Sequence, residues 1–455
     1  MSILINTISA IGNTKSIYPL LIRDCGIENP VKVAMTYNQN KEDKKIAWLA
    51  ARERFWDEYS VSAAWLGCIP FIDSVGKLAI KQVKGLNADV NLKLLGEDKI
   101  HAKKMAEYEA KRAKGYNIKK PEIAQGFEYN IKKFANVPGA EKAVNDMLNV
   151  KKNQKLFNGL MNTKFMASVV IPIGLMGFVI PKLIFASSAK KKMEEYRKQT
   201  TDSKNFTFAA QNVGTTKSFD QFVKGRQNMT SFQGGLTSFL TNLTTVQKMA
   251  VTDGGYAAGR LSTARNKNER VDIAFKMAGM MLLNYIAPQW IEKGFNLITD
   301  INLDPKMLAD KRFLASIKYD HLDMPKSNSA KDMINFIDNN PNSVFTIAAK
   351  KAGKITFLKD KNGKELNIRD PRAFVDVEEL GRLKKNIENF AQKAKASGNV
   401  SKYAKKALRL RSITILGNIG LSSFLLAYCL PKAQFKFREW FTGSKLDPGL
   451  VDNRQ

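Results

Sequence analysis

Two histidines, His101 and His321, in 455 residues set the first limit on the chemistry open to this chain. Neither stands near a second metal ligand at helical or loop spacing, so both read as structural or exposed. Cys25, Cys68 and Cys429 form no CxxC pair and no even framework, which argues against structural zinc and disulfides. Cys68 and Cys429 lie in apolar runs, where a thiol behaves as a small hydrophobe. No Walker loop, no GxGxxG after a strand, no GxSxG elbow and no HExxH occurs. The nearest approach to a phosphate loop is "TDGGYAAGRLSTARNKNER", residues 252–270. Glycines ahead of a helix can present backbone N–H groups to an anion, but no strand precedes these. Gly255 and Gly259 fit better as a small-xxx-small surface that lets a second helix approach. Asp360 and Asn362 in "KDKNG" resemble part of a calcium loop without its remaining ligands, and a turn accounts for them. No catalytic residue, metal site or cofactor is assigned, and the chain reads as a non-enzyme.

The basic residues carry more information. The formal charge is +31, partly a bacterial-like bias toward Lys, Asn and Ile, and a surface that positive attracts phosphate on nucleic acid or on anionic lipid. Lys190, Lys191 and Lys192 form one cluster; Lys402, Lys405, Lys406, Arg409 and Arg411 form another. Each adjoins a long apolar run, the place where anionic headgroups sit, at about 1 kcal/mol per charge. Nucleic-acid readers interleave aromatics for stacking, and these clusters hold only Tyr403. The expected partners are anionic membrane lipids and other membrane proteins, with nucleic acid disfavoured.

Four apolar segments must position these clusters. Residues 165–189 contain a single charge, Lys182, and 412–431 contain none. About 20 apolar residues cross a hydrocarbon core, so both are expected to span. The nine Ile, Leu and Phe residues of 412–431 favour insertion by roughly 3–5 kcal/mol. Lys182 could snorkel toward the lysines that close its segment. The runs 61–72 and 277–291 are shorter and are expected to be re-entrant, interfacial or buried. Each segment carries an aliphatic residue or Ala followed by Pro: Ile69-Pro70, Ile180-Pro181, Ala287-Pro288 and Leu430-Pro431. They suggest a degenerate repeat, although Gly and Pro are frequent in membrane helices.

Elsewhere the pattern is mainly α. Residues 98–114 form a charged, solvent-facing helix. Asn362-Gly363 joins two strand-like runs as a hairpin. Asp376 with Glu379 forms a capping pair ahead of an apolar stripe at Val377, Leu380, Leu383, Ile387, Phe390 and Ala394. The polar stretch 195–235 reads as a linker. The N-terminus, "MSILINTISAIGNTK", has no basic region or cleavage site and is not read as a secretory signal.

The expectation is a mainly α, helical integral membrane protein with two spans, two shorter apolar segments and a small β-hairpin/helix module. The organisation reads as an N-terminal region (1–60), a short apolar helix with a basic helical region (61–164), a span (165–189) and a basic, partly flexible loop with a Gly-rich helix (190–276). A short apolar helix (277–291), a soluble module (292–411), a second span (412–431) and a tail (432–455) follow. The bias of Lys and Arg around the two spans places the loop 190–411 on the cytoplasmic side of the cytoplasmic membrane. The expected role is structural or interaction-based, through lipid contacts of the basic collars. The alternatives are a small transporter or channel, and a soluble nucleic-acid-binding protein with buried apolar helices.

Overall fold

The computed structural model describes residues 3–12, 17–188, 245–299 and 301–448. The Lys190–Lys192 cluster and the stretch 195–235 lie outside the described residues.

Three helices are long and apolar enough to cross a membrane: Lys44–Gln82, Gln154–Ser188 and Val400–Thr442. The first corrects the expectation for 61–72. That run is part of a 39-residue helix, started by Asp43, whose carboxylate accepts from the backbone N–H of Lys45 and Ile46 at 2.8 and 3.1 Å. Asp73 and Lys77 do not end it, because each finds a partner on another element. The run 277–291 is divided between Lys267–Tyr285 and Ala287–Thr299, because Pro288 disfavours continuation of the preceding helix and instead sits near the start of a new one. The count is therefore three candidate spans, rather than two spans and two shorter segments.

The Pro positions have a common structural consequence. Pro70, Pro181 and Pro431 each follow by two residues the end of a π-helical turn, at Ala64–Cys68, Leu175–Val179 and Leu425–Cys429. A proline lacks the N–H that would bond the preceding turn, and its ring presses on that turn's carbonyl. Widening the turn by one residue accommodates both effects without ending the helix. Pro30 does the same after Ile22–Glu28, in a segment too polar to be noticed by its apolar content.

Side-chain contacts fix the helix directions. Lys164 meets Asp73 at 3.6 Å at one end of the bundle, and Arg52 donates to Ser187 at 2.8 Å at the other, so 44–82 and 154–188 are antiparallel. Lys445, just beyond 400–442, lies 3.4 Å from Glu42, just before 44–82, so that pair is antiparallel too. Helices 154–188 and 400–442 consequently point the same way, and residues 188 and 411 lie at opposite ends of the bundle. A loop 190–411 confined to one face does not fit this arrangement, because helices 245–262 and 267–299 pack between the candidate spans rather than hanging outside them.

At the end that carries residues 82, 154 and 400, the stretches 83–153 and 301–410 close onto each other. The Gln125 amide donates to the Val375 carbonyl at 2.6 Å and accepts from the Val375 N–H at 3.0 Å. Asn130 donates to the Pro371 carbonyl, and Arg372 meets Asp146 at 2.6 Å. The hairpin, β1 (Phe357–Lys359) and β2 (Glu365–Arg369), is antiparallel with Phe357 opposite Arg369, and Gly363 takes φ 77° at its turn. Asp376 caps Val377–Ala396, whose buried stripe packs on Phe313 and Met333. Of helix Lys93–Ala113 only Leu94 is buried.

Candidate functional site

The most unusual feature of the bundle is the inversion of its polarity. Only 28% of the apolar window is buried within the molecule for helices 44–82 and 154–188, and 39% for 400–442. Phe71, Leu78, Leu183, Ile413 and Phe424 point outward. The interior instead collects charge. Arg23, Asp24, Glu28, Lys32, Asp57, Glu58, Arg260, Asp272, Lys276 and Arg438 are all buried.

These groups form a connected chain. Arg23 lies 3.0 Å from Asp24 and 2.8 Å from Glu28, and Lys32 bridges Glu28 at 3.0 Å to Glu58 at 3.5 Å. Lys276 continues from Glu58 at 3.1 Å to Asp57 at 3.8 Å, and Asp57 holds Arg260 at 3.0 Å. Alongside, Arg438 and Gln434 both donate to Asp272 at 2.8 Å, and Arg265 joins Glu53 and Glu269 at 3.2 and 2.7 Å. Burying ions is costly unless each finds a partner, and here almost every charge has one within 4 Å. Two nitrogens of Arg260, Nε and Nη1, have no acceptor. The guanidinium lies 5.6 Å from the centre of the Phe185 ring, a contact that recovers part of that loss.

A second charged group lies at the opposite end. Lys248 donates to both oxygens of Asp73 at 2.9 and 2.8 Å, beside Lys164. Asp73 does not pair with Lys77, as their spacing of four suggests; Lys77 reaches Asp89 at 2.9 Å. Glu58 and Asp73 are fifteen residues apart on one helix, about 22 Å. Between these levels the Tyr285 hydroxyl donates to Asp253 at 2.5 Å.

The glycines of the sequence reading lie against helix 154–188. A Cβ added to Gly255 would stand 2.3 Å from the Ile173 side chain, and one added to Gly259 2.7 Å from the Gly177 Cα. Lys402, Lys405, Lys406 and Arg409 are exposed along the start of helix 400–442. Arg411 is half-buried, 3.7 Å from Glu292. His101 lies 3.4 Å from the Pro121 carbonyl, and no group of three or more metal-ligand side chains occurs among the described residues.

Sequence reasoning passed over the ionic chain. Its local pairs, Glu28 with Lys32, Arg54 with Glu58 and Arg265 with Glu269, have a readable spacing of four, and such pairs usually lie on a solvated face. Comparison with known protein families, curated proteins and solved structures finds no match in any of the three.

Proposed function

We propose that the chain is an integral membrane protein with a structural or interaction role, in which the helical bundle holds the 83–153 and 301–410 body against a bilayer surface. The observation that carries this reading is the apolar exterior of three long helices around a paired, charged interior. In water that distribution leaves long apolar helix faces exposed, the kind of surface that marks a membrane or partner contact; in lipid it is the favourable one. Trp48, Trp56 and Trp440, all exposed near one end of the bundle, suit the interfacial level where tryptophans collect. Lys402, Lys405, Lys406 and Arg409 at the other end supply the contacts to anionic headgroups. A soluble nucleic-acid-binding protein would bury these helices, so their outward apolar faces weigh against that alternative. Carbonate extraction of membranes from expressing cells tests the reading: the chain stays in the pellet, whereas release into the supernatant refutes it.

The buried ionic chain favours a second reading, a transporter or channel, because ionisable groups behind lipid-facing helices commonly line ion or proton paths and the π turns beside prolines interrupt helices as transport sites do. Proteoliposomes enclosing a pH dye discriminate the two. A proton leak abolished by Asp253→Asn supports the transporter, and equal leak with and without protein supports the structural role.

A further inference from the structure

A cleft of about 430 Å³ opens between helix Asn29–Gln39 and the last turns of helix 400–442, lined by Met35, Asn38, Gln39, Tyr428, Lys432, Phe435, Lys436 and Glu439. Its charges are arranged in order along one face: Lys432 and Lys436 are one turn apart, and Glu439 is on the next turn. Neither lysine is within 4 Å of a carboxylate among the described residues; Lys432 instead lies 3.3 Å from the Tyr428 hydroxyl, over its ring. Among the described residues Glu439 has a single, loose ion-pair partner, Lys445, at 4.0 Å. Gln39 donates to the Lys445 carbonyl at 3.4 Å, which holds the rim.

We propose that this cleft binds the headgroup of an amino-phospholipid, with the phosphodiester held by Lys432 and Lys436 and the primary ammonium by Glu439. The proposal rests on the membrane reading above. Three observations carry it. Two cations without a partner carboxylate face one concavity, which favours an anion. A carboxylate one turn further on favours a ligand that also bears a cation a short distance from its phosphate. Below the cleft, Tyr428, Phe424 and Leu421 continue the same helix face and are 40%, 51% and 43% exposed, with Tyr428 stacked on Phe424 at 5.3 Å. That apolar track descends into the charge-free segment 412–431, whose twenty residues match a hydrocarbon thickness of about 30 Å. The cleft is thus at headgroup level, with a path for an acyl chain beneath it. A soluble phosphoethanolamine diester shares the headgroup chemistry, and the apolar track selects the lipid.

The test uses the full chain in nanodiscs of phosphatidylethanolamine, phosphatidylglycerol and phosphatidylcholine in equal parts with identical acyl chains, followed by detergent extraction and mass spectrometry of the retained lipid. Wild type is expected to retain the ethanolamine lipid several-fold over the glycerol lipid, which has no ammonium for Glu439, and over the choline lipid, whose quaternary ammonium cannot donate a hydrogen bond to it. The double variant Lys432→Gln/Lys436→Gln should fall to the bulk ratio. Glu439→Gln should keep bound lipid but lose the preference for ethanolamine over glycerol headgroups, an outcome that loss of folding cannot produce. Retained lipid that mirrors the bulk, or a double variant equal to wild type, overturns the proposal. Displacement of the lipid by equimolar glycerophosphoethanolamine also overturns it and makes the ligand the soluble diester. Failure of the chain to enter the bilayer overturns the membrane reading together with this one, whereas incorporation without selective retention overturns this one alone.

Discussion

Replacing Gly259 by alanine adds one methyl group to a contact that has no room for it. The new Cβ would lie 2.7 Å from the Gly177 Cα and 3.0 Å from its carbonyl carbon, where carbon atoms prefer about 3.5–4.0 Å. The obstacle is backbone, so no rotamer change relieves it; helices 245–262 and 154–188 must separate by roughly 1 Å along their contact. Overpacking of this kind costs about 1–3 kcal/mol. Gly254, on the same helix, has nothing within 4 Å of its added Cβ, and Gly→Ala in a helix interior contributes about 0.5–1 kcal/mol of stability. The two substitutions are chemically identical and should differ in sign, by about 1.5–4 kcal/mol in total. Thermal unfolding of the full chain in a single detergent reads the difference as a Tm below wild type for Gly259→Ala and at or above it for Gly254→Ala. Equal Tm values for the two variants would refute the close helix crossing and the argument built on it.

Three further outcomes follow from the charged interior and the caps. Asp57→Ala leaves the Arg260 guanidinium, buried and 3.0 Å from Asp57 in wild type, without its counter-charge. A loss of about 3–5 kcal/mol is expected, and Asp57→Ala/Arg260→Met should recover a large part of it in a double-mutant cycle. Tyr285→Phe removes the hydroxyl that donates to the Asp253 carboxylate at 2.5 Å and leaves a part-buried acceptor without that partner; a loss of about 1–3 kcal/mol is expected, read as a lower Tm, and an unchanged Tm counts against the contact. Asp376→Ala removes the bond from the Glu379 N–H to the Asp376 carboxylate at 3.1 Å and should cost about 1 kcal/mol, seen as faster hydrogen exchange in the first turn of Val377–Ala396.

The charged interior also bears on why the bundle adopts one arrangement. Apolar helices in lipid have little hydrophobic reason to prefer one neighbour over another. An isolated buried ion has a strong reason, since each misplaced partner leaves an uncompensated charge. Arg260 can be satisfied by Asp57, Arg438 by Asp272 and Lys248 by Asp73 only when helices 44–82, 245–262, 267–285 and 400–442 stand in their observed order and direction. The ionic contacts therefore select the packing, while the Gly177–Gly259 crossing sets how close it becomes.

The sequence by itself determined the local features. The capping pair at Asp376, the turn at Asn362-Gly363 and the apolar stripe of 377–396 are short-range patterns with a single physical solution, and they are legible without the fold. The long apolar runs at 165–189 and 412–431 were legible for the same reason, since length and hydropathy belong to one segment. The tertiary structure decided everything that required two segments. Whether 61–72 was a short helix or part of a long one depended on where Asp73 and Lys77 found partners, and those are Lys248 and Asp89, 175 and 12 residues away. The repeated prolines were visible, but their common effect was not, because a π turn is a response of the backbone to a ring in a helix held straight by its neighbours. Arg23, Asp24, Glu28, Lys32, Asp57 and Glu58 carry no signal in the sequence that sets them apart from surface charge, yet all six are buried. They face inward because their chain of counter-charges crosses from one helix of the bundle to another, at Lys32 with Glu58, Asp57 with Arg260 and Glu58 with Lys276, and those partners are set by the packing of several segments rather than by any one of them.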